Sequence, residues 1–330
     1  MTAQAVYLAP AQTSADRRVG VWLLLCCALV FAMVLLGGLT RLTESGLSIV
    51  EWKPVTGVLP PLSAAEWQAE FAKYQATPEY QKVNTGMSLA AFQRIWWMEY
   101  SHRLLGRLIG VVFLLPFLWF LARGQVPSGF RGHLWLVFLL GAAQGAVGWY
   151  MVRSGLVDRP DVSQYRLAAH LGLALLIYLY MLRLALDLLW PARRASGFAW
   201  FVLALVFVQA LIGALVAGLD AGLHYNTFPL MDGELLPPGL LLQEPWWLNL
   251  FENPITVQFA HRIGAYAVAA AVLWFCWRSD HPLRGWLLAA LALQVALGVA
   301  TLLLVVPLPL AWAHQAGAVV LLTAALVVTR

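Results

Sequence analysis

The chain has 330 residues, of which 61% are hydrophobic and only 11% charged, and its mean hydropathy is +0.74. A soluble domain carries about 25% charged residues, so this chain takes lipid as its main solvent, which excludes a soluble enzyme, a secreted disulfide scaffold and a disordered chain. The formal charge of +5, from 21 Lys and Arg against 16 Asp and Glu, calls for no nucleic acid and has to be read loop by loop.

About 20 mostly apolar residues cross a bilayer as a helix. That length predicts an all-α polytopic membrane protein with eight spans, at 20–38, 99–122, 133–151, 166–189, 198–218, 257–278, 284–306 and 311–329. Residues 1–19 form a short N-terminal segment. The first run follows Arg17 and Arg18 as a signal peptide would, but no small-residue cleavage site precedes Gly37 and Gly38, so it is read as a retained helix. A long loop, 39–98, follows it. Arg17, Arg18, Arg123, Arg131, Arg193, Arg194, Arg278, Arg284 and Arg330 fall on one side, which the positive-inside rule makes cytoplasmic, with both termini there. The loop 219–256 on the other side carries Asp220, Asp232, Glu234, Glu244 and Glu252 and no Lys or Arg. The acidic-containing N-terminus makes a poor transit peptide, which favours a bacterial inner membrane. The end at Arg330, directly after the last span, leaves no tail for partners. Cys26, Cys27 and Cys276 lie in apolar runs and read as core packing rather than a disulfide.

The chain also repeats itself. Residues 37–48, GGLTRLTESGLS, align with 213–224, GALVAGLDAGLH. His102 aligns with His261, Gln144-x3-Gly148 with Gln294-x3-Gly298, and His170 with His314. Each half holds an even number of spans, so the halves, 20–190 and 191–330, share one orientation as two parallel-repeat four-helix bundles.

Four of the seven histidines, His102, His170, His261 and His314, fall one to each even-numbered span, near its outer end. A lone histidine in an apolar chain is usually structural; four at one depth, in two repeated pairs, need a shared reason. Histidines from two helices of a bundle suit the two axial positions of haem iron, whereas zinc wants further Cys, His, Asp or Glu ligands. Gly106, Gly172, Gly264 and Gly317 follow these histidines closely; they make room for a macrocycle or serve helix packing. Arg103 and Arg262 directly follow the first histidine of each pair, to meet haem propionates or to snorkel to the interface. Glu99 shares a helix face with His102, and its counterpart is Gln258. One pocket thus has an acid or base and the other has none, unless Glu99 is a solvated carboxylate at the membrane edge. His133 and His281 read as interfacial, and His224 lies on the same side as the pockets.

The segments GGLTRLTESGLSIVEWKPVTGVLPPL, EWQAEFAKYQATPEYQKVN, EYSHRLLGR, AGLDAGLHYNTFPLMDG and QFAHRIGAY resemble those of the haem A synthases, in the form shared by many proteobacteria and mitochondria, over nearly the whole chain. The resemblance implies oxidation of the C8 methyl of haem O to a formyl group through successive hydroxylations, giving haem A for cytochrome oxidase. It implies that His102 and His170 hold the substrate or product haem with Glu99 beside it, and that His261 and His314 ligate a haem b cofactor. It also implies an electron donor, a quinol or a ferredoxin system, and admits haem O synthase, oxidase assembly factors and a second copy of the chain as partners. Some bacterial members have a cysteine pair in outer loops; here both long outer loops contain none, so no thiol relay is expected. The alternative function is a non-catalytic di-haem cytochrome b subunit. Against it stand the single Glu99 and histidine pairs at one depth, where a transmembrane wire would put its haems near opposite faces.

Overall fold

The computed structural model describes residues 13–54, 56–157, 160–190 and 197–330. Arg193 and Arg194, used above to orient the chain, lie outside the described residues. Among the described residues eight helices are long and apolar enough to cross a membrane. They are α1 (Ser14–Leu42), α4 (Leu89–Ala122), α5 (Arg131–Val157), α6 (Gln164–Leu189), α7 (Gly197–Gly218), α9 (Pro254–Arg278), α10 (Arg284–Leu303) and α11 (Leu308–Val327). Three shorter helices lie between them: α2 (Ala64–Gln75), α3 (Pro78–Lys82) and α8 (Asn249–Glu252). In lipid every backbone polar group has to be satisfied within the chain, and helices do this span by span.

All eight predicted spans are present, and the differences lie at their ends. The helix α1 starts at Ser14 rather than residue 20, because Thr13 caps it: its side chain accepts from Asp16 N, and Asp16 bonds back to Thr13 N. The helix α4 starts at Leu89, ten residues before the predicted 99, capped by Ser88. Its extra turns are amphipathic rather than uniformly apolar. Phe92, Trp96 and Tyr100, spaced four apart, bury one face against Ile49, Phe71 and Tyr74 in a small aromatic core outside the spans. Tyr74 stacks on Phe92 at 5.2 Å between ring centres, and Tyr100 on Trp96 at 5.0 Å.

Within the first half, α1 packs on α4 and α6, and α5 closes the ring between α4 and α6. The second half has the same pattern of neighbours: α7 packs on α9 and α11, and α10 closes the ring. The halves meet through α6 with α7 and through α1 with α11. At the second of these seams Trp312 Nε1 donates to Leu35 O at 2.9 Å and Gln315 Nε2 to Val34 O at 2.7 Å. The aligned positions Glu44 and Asp220 both adopt a left-handed backbone, with φ of 50° and 49°. Arg41 of the first half bonds Asp220 and Ala217 O of the second, both at 3.0 Å. Cys26 and Cys27 are buried in the main core, and Cys276 is half-buried beside it.

Gly38 shows how tight the α1–α11 seam is: a Cβ there would overlap the Gln315 side chain. Gly38→Leu is expected to destabilise the fold by about 1–3 kcal/mol through overpacking, read as a lower thermal transition in detergent than the wild-type protein.

Candidate functional site

The even-numbered spans α4, α6, α9 and α11 all start at the end carrying the two long loops. His170, His261 and His314 therefore fall six or seven residues into their helices, about 10 Å along the axis. His102 is deeper in residue count because α4 projects beyond the span. His261 and His314 face each other with ring centres 6.5 Å apart and planes at 79°. Two imidazole nitrogens each about 2 Å from one metal ion put their ring centres roughly 6 Å apart, so the pair is spaced for the two sides of a single ion. His102 lies against Gly37 of α1 and His170 against Gly148 of α5. All four are half-buried.

Among the described residues no three or more His, Cys, Asp and Glu side chains converge as a metal site. That suits a porphyrin, which brings four nitrogens of its own and needs two axial ligands, better than zinc, which needs four from the protein or water.

Glu99, only 2% exposed, receives four hydrogen bonds. One carboxylate oxygen accepts from Ser48 Oγ at 2.7 Å and Ile49 N at 2.8 Å; the other accepts from Arg103 Nε at 3.0 Å and Nη2 at 2.6 Å. Spacing along α4 explains the Arg103 contact, since residues four apart share a helix face. Arg103 also donates to Ile49 O at 2.8 Å and Glu51 O at 3.0 Å. One turn on, Arg107 donates to Lys53 O at 2.8 Å and Pro54 O at 2.9 Å. The carboxylate and the two arginines thus clamp residues 48–54 to the part of α4 that bears His102. The solvated-carboxylate reading of Glu99 does not survive this burial.

The second half builds the same clamp without an acid. Gln258 Nε2 donates to Tyr225 O at 2.9 Å, and Arg262 donates to Tyr225 O at 3.0 Å and Thr227 O at 2.9 Å. Both arginines therefore bind loop backbone rather than snorkelling; Arg262 Nε is buried with no partner among the described residues. His224 is exposed in this loop, His133 bonds the Tyr180 hydroxyl, and His281 accepts from Leu283 N in the α9–α10 connection.

The glycines after the histidines are taken up by packing rather than by space for a macrocycle. A Cβ on Gly106 would meet Met33, on Gly172 Leu211, on Gly264 Gln209 and on Gly317 Gln294. The glycines that face the imidazoles are Gly37, Gly148, Gly213 and Gly298, on the neighbouring helices. All four stand in the aligned repeat segments, Gly37 with Gly213 and Gly148 with Gly298, but nothing in the sequence marks them for this role.

In the loop between α1 and α4, Glu79 of α3 is 6% exposed, with one carboxylate oxygen unpartnered among the described residues. Burial raises its pKa to about 7, and the nearby carboxylates Glu99, Glu44 and Asp161 push the same way against a hydrogen bond from Tyr74. It was not singled out in the sequence, where it is one acid among several in a charged loop.

The fold and the site define a multi-pass helical membrane protein with a histidine pair in each half, one of them beside a buried carboxylate. Residues 20–326 match the model of the cytochrome oxidase assembly protein family. A protein of Nitrosospira multiformis named Heme A synthase is 55% identical over 328 residues, covering 94% of this chain and 92% of its own. Proteins of the same name from Rhodospirillum centenum and Nitrosomonas eutropha are 55% and 49% identical, covering 93% and 94% of this chain and 86% and 93% of theirs. The chain belongs to the cytochrome oxidase assembly protein family that includes these haem A synthases.

A carboxylic acid whose pKa is raised on folding binds a proton that the unfolded chain has lost, so its contribution falls as pH rises between the two values. Stability is therefore expected to drop by about 2–4 kcal/mol between pH 4.5 and 8 from Glu79 alone. Glu79→Gln is expected to flatten that dependence, measured as resistance of the 43–88 segment to proteolysis across the same range. An unchanged pH profile in the variant would locate the dependence elsewhere.

Proposed function

We propose that the chain oxidises the C8 methyl group of haem O to a formyl group, giving haem A for cytochrome oxidase. The observation that carries the reading is the asymmetry between two like-built pockets: paired histidines in each, with a buried carboxylate beside only the first. The names of its relatives support the same reading. His102 and His170 hold the substrate haem, and His261 and His314 hold a haem b cofactor, which supplies one-electron transfer when bound.

The chain's own groups orient and shield. Glu99 is fixed by Ser48 Oγ, Ile49 N and Arg103 on the helix face that also bears His102. Each hydroxylation by dioxygen consumes two electrons from the donor and two protons, one oxygen atom going to the methyl carbon and the other leaving as water, and Glu99 is the carboxylate placed to relay those protons. The clamped segment 48–54 keeps bulk water from that acid. Arg262, through its unpartnered Nε, is the group left to meet a propionate; Arg103 acts through Glu99 and the loop.

The arginine distribution supports cytoplasmic termini and pockets near the outer leaflet of a bacterial inner membrane. In that placement a haem with a long isoprenoid tail reaches its pocket from lipid, and electrons come from a quinol or a ferredoxin system. The two halves are read as a parallel repeat.

Haem extracted from the purified protein is expected to include haem O or haem A beside haem b; haem b alone would favour an electron-carrying cytochrome. Glu99→Gln should retain both haems and lose conversion by at least about 100-fold, the scale of a general acid–base contribution. Normal haem A output from that variant would remove Glu99 from the chemistry.

A further inference from the structure

Each histidine has the same surroundings on the helix before it, and one of the four differs. The imidazoles of His102, His170, His261 and His314 lie against Gly37, Gly148, Gly213 and Gly298, where a Cβ would come within 3.1, 2.9, 3.2 and 2.8 Å of the ring. One helical turn before three of these glycines stands a glutamine: Gln144, Gln209 and Gln294. Gln144 Nε2 lies 3.1 Å from His170 Nδ1 and donates to His170 O at 3.0 Å. Gln209 Nε2 lies 3.1 Å from His261 Nδ1 and donates to His261 O at 2.8 Å. Gln294 Nε2 lies 3.5 Å from His314 Nε2. The amide oxygen of each of the three is buried without a partner among the described residues. At the fourth position, one turn before Gly37, the residue is Met33, whose methyl lies beside Gly106.

An imidazole bound to a metal through one nitrogen presents the other as an N–H, and the group that receives it fixes the ring and strengthens the ligand. For Gln144 and Gln209 the unpartnered amide oxygen is such a receiver: a half-turn of the amide brings it to Nδ1–H, at the expense of the bond to the backbone carbonyl. Gln294 meets His314 at Nε2, and a half-turn brings its oxygen to that nitrogen instead. The half that carries haem b in the reading above holds such a glutamine on both its histidines. There the room is made twice over, because Gly264 and Gly317, three residues after His261 and His314, leave space that Gln209 and Gln294 fill. In the first half Leu105 and Leu173 stand at those positions. A thioether has no strong acceptor to offer, so His102 has no glutamine to fix it.

We propose that Gln144, Gln209 and Gln294 are positioning residues for the axial histidines, and that Met33 leaves His102 the loosely held ligand through which the substrate haem is exchanged. A cofactor must stay and a substrate must leave, and this single position on the repeated hairpin separates the two. The inference rests on the four histidines being haem ligands.

The test is haem release from the full-length protein in detergent, mixed with excess apomyoglobin as acceptor and followed by the visible bands of haem b against those of haem O and haem A. Wild-type protein is expected to give up its haem O or haem A at least about 10-fold faster than its haem b. Met33→Gln should slow the fast release, and Gln209→Met should speed the release of haem b and shift its absorption bands. Each change should be about 10-fold to 100-fold, the range for removing such a partner. Gln209→Met keeps the question answerable if Met33→Gln does not fold. His102→Ala and His261→Ala separate the two readings: if both keep their haems, ligation fails and the proposal with it. If they lose the expected haem while Met33→Gln and Gln209→Met release at wild-type rates, ligation stands and the proposal is overturned.

Discussion

The close approach of an imidazole to a glycine on the neighbouring helix is the contact on which the rest of the architecture depends. In lipid, apolar side chains gain little by leaving their surroundings, so helices associate where small residues let backbones come near. Gly37, Gly148, Gly213 and Gly298 supply that approach once per hairpin, and in each case the group received is the histidine of the next span. Helix packing and ligand placement are therefore one event. A side chain on any of these glycines would push the ring and the helix apart together.

The polar residues then divide into those that hold the frame and those that make the halves differ. Arg103, Arg107 and Arg262 spend their donors on loop carbonyls, tying each long loop to the helix that bears the first histidine of its pair. What differs is the residue one turn before that histidine. Gln258 in the second half bonds a single carbonyl, whereas Glu99 in the first draws in a hydroxyl, a backbone N–H and a guanidinium. A carboxylate taken out of water requires such partners, because a buried charge left unpaired costs several kcal/mol. The segment 48–54 is consequently held more elaborately than its counterpart.

The eight spans were legible because a bilayer imposes a length and a composition on each of them. The projection of α4 was not, since Phe92, Trp96 and Tyr100 pack on α2 and on loop residues instead of facing lipid, and a hydropathy window ends where Arg94 and Glu99 begin to count. The histidines and Glu99 stood out as the few polar groups in apolar runs. Their partners did not: Ser48 and Ile49 lie some fifty residues away across a loop, and the Ile49 contact is made by its backbone, which no side-chain pattern records. Of the two readings of the glycines after the histidines, the contacts favour packing, and the sequence did not point to the glycines that face the imidazoles. Those next to the histidines in sequence drew attention, while those next to the imidazoles in space belong to another helix.

In the proposed repeat, the two halves differ at two positions that would give one kind of hairpin two roles. Met33 aligns with Gln209, and Glu99 with Gln258, so the two departures fall on α1 and α4 of the first hairpin. One change removes an amide from the histidine and the other adds an acid beside it. A ligand bonded on its far nitrogen holds metal more tightly, and an acid near a reacting group moves protons. In the function proposed above, the same hairpin loses grip on its haem where it gains chemistry, which is what a pocket needs if its occupant is a substrate and not a cofactor.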